Sequence, residues 1–266
     1  MKKILALIMV LVLGVSVVGC GKDQNISKLE KIKKKNKLVL GTSADYPPYE
    51  FHKEIDGKDE IVGFDIEIAK QIAKDLGVEL EIKDMKFDGL LPALQAGNID
   101  IVISGMSATE ERAKSVDFTV PYYDEEQTIV IRKEDENKLK TKKDFKGLIV
   151  GAQKSSIQEE IANESLEANE VRALFKLPDL MLQLKNKKID GIVLTKYVAK
   201  EYVKSNKDLK VMDITLKFDD SAVSGAVKKG EEELLKEVNK SLEKMIEEEK
   251  LQEFVVEAVK LAGEDK

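Results

Sequence analysis

Two rhythms of apolar positions alternate along this chain. Compact runs rich in β-branched residues at 37–42, 78–82, 99–103, 127–132, 148–152, 171–175 and 189–193 read as strands. Those that are apolar without interruption, such as 99–103, read as buried on both faces. Between the runs the spacing lengthens to three and four. Ile66, Ala69, Ile72, Ala73 and Leu76 predict a helix closed by Gly77. Further helices are predicted over 90–96, 179–187, 196–205 and 252–261. A long charged one is predicted over 231–249, with Leu234, Leu235, Val238, Leu242 and Met245 on one face. Phe51 and Ile61 flank Asp56-Gly57, a hairpin signal, and 221–227 reads as a strand that crosses back. Strands and helices in alternation predict an α/β fold.

The pattern also repeats. LLPALQAGNIDIVI (90–103) lines up with LMLQLKNKKIDGIV (180–193), each a helix, a polar turn, Ile-Asp and a strand. The pairing puts Gly105 and Thr195 at equivalent strand ends and predicts two α/β lobes facing across a cleft. Chance likeness between short amphipathic helices is the alternative.

Chemistry gathers at the first of these strand ends. Thr109 is the expected N-cap of a helix carrying Glu110 and Glu111 in its first turn, where the dipole favours acids. Ser104, Gly105, Ser107 and Arg112 therefore lie at or just past a strand's carboxyl end, in the crevice where open α/β sheets bind ligands. Free backbone N–H groups, a hydroxyl and a guanidinium suit a small carboxylate. The chain has three arginines among many lysines, Arg112, Arg132 and Arg172, and a bidentate fork is a job lysine cannot copy. Arg112 covering a helix surface is the plainer reading. Tyr46 sits on a loop stiffened by Pro47 and Pro48; packing beneath that loop is the alternative for both Tyr46 and Tyr49. Phe87 lies in another loop. Ser156 with Glu159 forms a capping-box pattern, so residues 154–157 present helix N-terminal N–H groups.

Composition narrows the class. Lys2 and Lys3 precede an apolar run from Ile4 to Val18, short for a membrane span, ending at Cys20, the only cysteine. Residues 1–19 read as a lipoprotein signal, Cys20 as the lipidated first mature residue, and 20–37 as a tether. An ordinary secretory signal or an uncleaved anchor is the alternative. One cysteine excludes an internal disulfide and a cysteine-rich zinc site. The formal charge of −6 becomes −8 once Lys2 and Lys3 leave, and no basic patch suits nucleic acid. No Walker-type glycine loop is present, so the chain supplies no ATP chemistry.

Five blocks now fall in order: GTSADYPPYEF (41–51), GFDIEIA (63–69), FDGLLPAL (87–94), SGMSATEER (104–112) and VDFTVPYY (116–123). With the lipoprotein signal, they resemble the bacterial extracellular solute-binding proteins of family 3, across residues 38–261. The resemblance implies the two-lobed type II periplasmic-binding fold, with 38–124 and 224–266 in lobe 1 and 125–223 in lobe 2. It implies an amino acid, polar or basic, captured by lobe closure about crossing segments near 124–127 and 223–225. Delivery would be to a separate ABC permease and its ATPase, by a monomer without cofactor or metal, outside the cytoplasm and anchored to the membrane by palmitate-type lipidation. Arg112, with Ser107 and the backbone at Gly105, would hold the ligand's α-carboxylate. Tyr46 and Phe87 would sandwich its side chain, Ser43 and Ser104 would line that wall, and Gln153, Ser156 and Ile157 would close over the carboxylate end.

Two positions depart from that pattern. Relatives often carry an aspartate where Thr195 stands, to meet the ligand's ammonium, and a small or hydroxyl residue where Ile157 stands. A buried ammonium without an anion is costly. Asp219 or Asp220 would have to reach in, neutral acceptors would have to serve, or the ligand is not an ordinary α-amino acid. The rival reading is a secreted enzyme on the same fold, resembling the cyclohexadienyl dehydratases. Against it, His52 is the only histidine, and Glu50 and Asp117 are generic acids with no matched partner.

Overall fold

The computed structural model describes residues 26–218 and 222–263. The signal run, Cys20, Asp219 and Asp220 lie outside them. Each lobe is built on one five-stranded sheet. The first runs, edge to edge, Glu79–Asp84, Lys37–Thr42, Ile101–Val102, Ala226–Lys228 and Val116–Phe118. The second runs Glu170–Leu174, Ile149–Gln153, Gly191–Thr195, Gln127–Arg132 and Leu209–Val211. In both, three parallel strands come first, a fourth runs against them, and a fifth pairs antiparallel with the fourth. The repeat seen in the sequence is thus structural, since Ile101–Val102 and Gly191–Thr195 are the third strands of matching sheets.

The fourth strand of each sheet belongs to a segment that has just crossed between lobes. The crossing segments meet: Tyr123–Asp124 pairs antiparallel with Ala222–Val223. The strand expected over 221–227 is therefore two short strands. Ala222–Val223 serves the crossing, and Ala226–Lys228 serves the first sheet. The parallel strands of both lobes point their carboxyl ends at the space between, which places Ser43 and Ser104 opposite Gln153 and Thr195.

Apolar faces fall as the periodicity requires. Ile66, Ala69, Ile72 and Ala73 of helix Phe64–Leu76 are buried with Leu234, Val238 and Leu242 of helix Glu232–Glu247. The second lobe packs Ile129, Phe145, Val150, Ile161 and Val193. One expectation is corrected. Residues 28–35, read as part of a tether, form helix Lys28–Lys35, capped by Ser27 and Glu30 in a reciprocal box. Leu29 and Ile32 are buried, and the Lys28 ammonium lies 2.5 Å from Asp100. The lysine-rich face hid a two-residue apolar stripe too short to register as periodic.

Candidate functional site

Gly63 sets the floor of the cleft. At φ +129° it lets the N-terminus of helix Phe64–Leu76 sit under the 46–50 loop, with Phe64 N–H donating to Pro48 O at 3.1 Å and Asp65 N–H to Tyr49 O at 3.0 Å. Tyr49 is fully buried there and packs on Phe64, ring centroids 4.2 Å apart. Tyr46 is left on the cleft side, with Gly105 against its ring. Tyr46 and Phe87 line one inner pocket with Ser43, Glu50, Ser104, Gly105, Gln153, Ser156 and Gln158. About 10 Å³ stays free within it, room for about one water, so the lobes must part before a solute enters.

Beneath that pocket lie two acids. Glu50 and Asp65 are both buried, and burial raises both carboxyls, Asp65 to about 7 and Glu50 well above its ordinary value. Ser104 Oγ donates to Glu50 Oε1 at 2.5 Å and accepts the Ser43 N–H at 3.0 Å. Asp65 Oδ2 accepts the Gly105 N–H at 2.7 Å and the Tyr122 hydroxyl at 3.0 Å. Among the described residues Glu50 Oε2 and Asp65 Oδ1 have no other donor. One proton between two neighbouring acids relieves their repulsion. The folded chain therefore holds protons that the unfolded chain has lost above about pH 4–5, so the pair's contribution to stability falls as pH rises through about 7. Melting temperature measured against pH should show that decline, and Glu50→Gln, which supplies a donor to Asp65, should flatten it.

Arg112 stands at the seam between the lobes. Thr109 Oγ1 caps its short helix, accepting the Arg112 N–H at 3.3 Å. Its guanidinium donates to Ser107 O at 2.8 Å and, across the cleft, to Ser155 O at 2.9 Å, and lies 5.4 Å from the Phe87 ring centroid. Burial lowers it to about 10, offset in part by Glu160, so it stays cationic. Ile157 and Ser156 line the roughly 480 Å³ cavity at its outer side. Ser107 bridges Val223, but the bonds flanking that bridge run from Ala108 N–H to Ala222 O and from Ser224 N–H to Met106 O. The Ser107 N–H is thereby kept out of the bridge.

At the other end, Asp45 reaches from the first lobe into the second. Its Oδ2 accepts the Leu177 N–H at 3.0 Å, at the start of helix Leu177–Lys185, whose N-cap Lys176 offers no side-chain acceptor. Its Oδ1 faces Gln153 Nε2 at 3.4 Å and Ser43 Oγ at 3.3 Å. The Tyr202 hydroxyl donates to the Asp45 carbonyl at 2.9 Å. A helix cap that exists only when the lobes meet favours closure. Asp45→Ala should weaken solute binding about tenfold in a titration, with little change in solute-free melting temperature.

Of the residues the sequence points to, Ser43, Tyr46, Phe87, Ser104, Gly105, Ser107, Arg112, Gln153, Ser156, Ile157 and Thr195 lie along this seam, with two changes of role. The Gly105 N–H, expected to face a ligand, is taken by Asp65. Gln153, expected to close over the carboxylate end, directs its Nε2 at Asp45 Oδ1 and Phe175 O, both at 3.4 Å. The capping box at Ser156 is half formed: its Oγ accepts the Glu159 N–H, while the Glu159 carboxylate takes the Ser155 N–H. Thr195 Oγ1 meets the Tyr46 hydroxyl at 3.4 Å. Asp45, Gln158 and Glu125 carry no signal of their own in the sequence, and Glu50 reads there only as a generic acid. Gln158 Nε2 donates to Gln127 Oε1 at 2.9 Å and approaches the Tyr46 hydroxyl at 3.3 Å. His52, on the outer hairpin, faces Asp59 and Asp84 instead.

Two lobes of this strand order, joined at a paired crossing and meeting over a pocket of aromatic, hydroxyl and carboxyl groups, define a solute-binding protein. The chain belongs to the bacterial extracellular solute-binding proteins, family 3, whose sequence profile matches residues 38–257. It is 37% identical to the arginine-binding extracellular protein ArtP of Bacillus subtilis strain 168, over 92% of this chain and 93% of that one. Among solved structures it resembles the amino acid ABC transporter substrate-binding protein AbpA of Streptococcus pneumoniae, bound to L-arginine. That likeness has a TM-score of 0.86 at 39% identity, over 89% of this chain and 100% of that one. It also resembles the ancestral amino acid-binding protein AncCDT-1, a precursor of cyclohexadienyl dehydratase, with a TM-score of 0.80 at 34% identity, over 88% and 100%. Among the described residues no helix is long and apolar enough to cross a membrane.

Proposed function

We propose that this chain is the extracytoplasmic substrate-binding component of an ABC importer and captures a small amino acid, basic or polar, by closing its lobes. The observation that carries this is Arg112, held by Ser107 O on one lobe and Ser155 O on the other. A carboxylate arriving there replaces two carbonyl acceptors with an anion, which a guanidinium holds more strongly. Ser107 N–H and the Ser156–Ile157 turn complete the grip. Beyond Tyr46 and Phe87 the wall is polar and carries the Glu50 carboxyl, with Asp45 bonded to Ser43 and Gln153 of that wall. Such a wall repels acidic side chains and suits cationic or amide ones. The relatives named for arginine agree with that preference.

Closure rotates one lobe on the other about the paired 123–124 and 222–223 segments, and the closed form docks on a permease served by a separate ATPase. The protein acts as a monomer, held at the membrane by a lipid on Cys20. The intact mass of the mature protein checks that anchor, since diacylated Cys20 must be its first residue. A thermal-shift screen against the twenty amino acids tests the binding role. A solute that prefers the closed fold raises the melting temperature, and no shift with any of them overturns the reading. The enzyme alternative keeps Glu50 at the pocket but loses Asp117, which binds the Gly230 N–H at 2.7 Å on another face. No turnover of prephenate or arogenate is expected.

A further inference from the structure

The proposed amino acid brings an ammonium group into a pocket that has to be dry when shut, and a buried cation needs an anion. Thr195, at the strand end beside Tyr46, is neutral. Among the described residues, three places near the pocket hold carboxyl groups. Asp45 is engaged by the Leu177 N–H, Gln153 and Ser43, and its bonds hold the lobes together. Glu50 and Asp65 share their inner face with each other, and their outer oxygens are met by Ser104, Gly105 N–H and Tyr122. Glu125 is different. It leads out of the crossing segment into strand Gln127–Arg132, has 9% of its surface exposed, and its Oε1 is buried without a hydrogen-bond partner among the described residues.

Its surroundings are those of a site and not of a core. Thr195 and Gln127, paired across the sheet, are the polar side chains that favour its charged form. Its field reaches the Tyr46 hydroxyl, and Gln158, on the pocket wall, is bonded to Gln127. Burial without a cation pushes the Glu125 carboxyl well above its ordinary range. A positive group placed beside Thr195 and Tyr46 restores its charge.

Resting on the amino-acid reading above, we infer that Glu125 is the counter-charge for the ligand's α-ammonium, doing from the crossing segment what Thr195 cannot do from its strand end. The crossing segment is also where the lobes turn. An ammonium paired with Glu125 therefore ties occupancy to the closed position of that segment, and acids that lack the α-amino group are selected against.

The test is a pair of titrations on the full mature chain. Wild type and Glu125→Gln, which keeps the shape and removes the charge, are each titrated with L-arginine and with 5-guanidinopentanoate, the same molecule without its α-amino group. L-Glutamine and glutaramate form the second such pair. The variant should bind the α-amino acid roughly thirtyfold or more weakly than wild type does. It should bind the des-amino acid as wild type does, within about twofold. Its solute-free melting temperature should be equal or higher, since an unpaired buried acid has been removed. Equal losses for both ligands assign Glu125 a structural role and overturn the inference. So does unchanged affinity for the α-amino acid, while wild-type binding in that case leaves the amino-acid reading standing. Failure of wild type to bind any amino acid defeats that reading, and the inference with it.

Discussion

Arg112→Ala is expected to abolish amino-acid binding, with a loss of at least about a hundredfold, and to leave the fold intact. Removing one partner of a buried, hydrogen-bonded charge pair costs about 2–5 kcal/mol, because the other charge is left in a dry site. The fold survives because both guanidinium bonds go to carbonyls at the cleft, Ser107 O and Ser155 O, and neither belongs to a core. Arg112→Lys should recover only part of the affinity. An ammonium keeps the charge but cannot present two parallel donors to a carboxylate. Titration with L-arginine, alongside circular dichroism to confirm folding, separates these outcomes. Full affinity in the alanine variant would place the carboxylate elsewhere.

Gly63→Ala is the change expected to cost most in stability. A Cβ at Gly63 would lie 2.1 Å from Tyr49 O and 2.6 Å from its carbonyl carbon, both backbone atoms that cannot swing away. The φ of +129° is also one that alanine avoids. Strain and displaced hydrogen bonds together put the loss on the order of 3–5 kcal/mol, or roughly 10 °C of melting temperature for a chain this long. The shift has a functional side. The Tyr49 carbonyl it displaces accepts the Asp65 N–H and fixes the 46–50 loop, so Tyr46 and Glu50 move with it. Gly57→Ala is the control, since its φ is also positive but nothing lies within 4 Å of its Cβ; it should cost about 1 kcal/mol.

The framework was legible because it rests on periodicity. The longer helices of the first lobe announce themselves by apolar spacing, and the 90–103 and 180–193 repeat gave away two matching sheets. Strand ends followed from that, and with them Ser104, Ser107, Arg112 and Thr195. The site's acids did not follow. Glu50 begins a hairpin strand between Tyr49 and Phe51, and all three are buried, so alternation had nothing to distinguish. Glu125 and Glu126 are adjacent acids in a crossing segment, and only the fold decides that the first turns inward. Asp45 looked like an ordinary loop residue, because its partner Leu177 N–H lies in the other lobe. Contacts that exist only between lobes leave no local pattern. The one available signal came from the family resemblance, which implies an acid where the neutral Thr195 stands, and among the answers it offered were Asp219 or Asp220, outside the described residues.

The most direct measurement is calorimetric titration of the mature, refolded chain with L-arginine and with agmatine, which keeps the guanidinium and the carbon chain but lacks the carboxylate. Binding of L-arginine in the micromolar range or tighter, with agmatine at least about a hundredfold weaker, is the expected result. Agmatine binding as tightly as L-arginine would contradict a carboxylate held at Arg112.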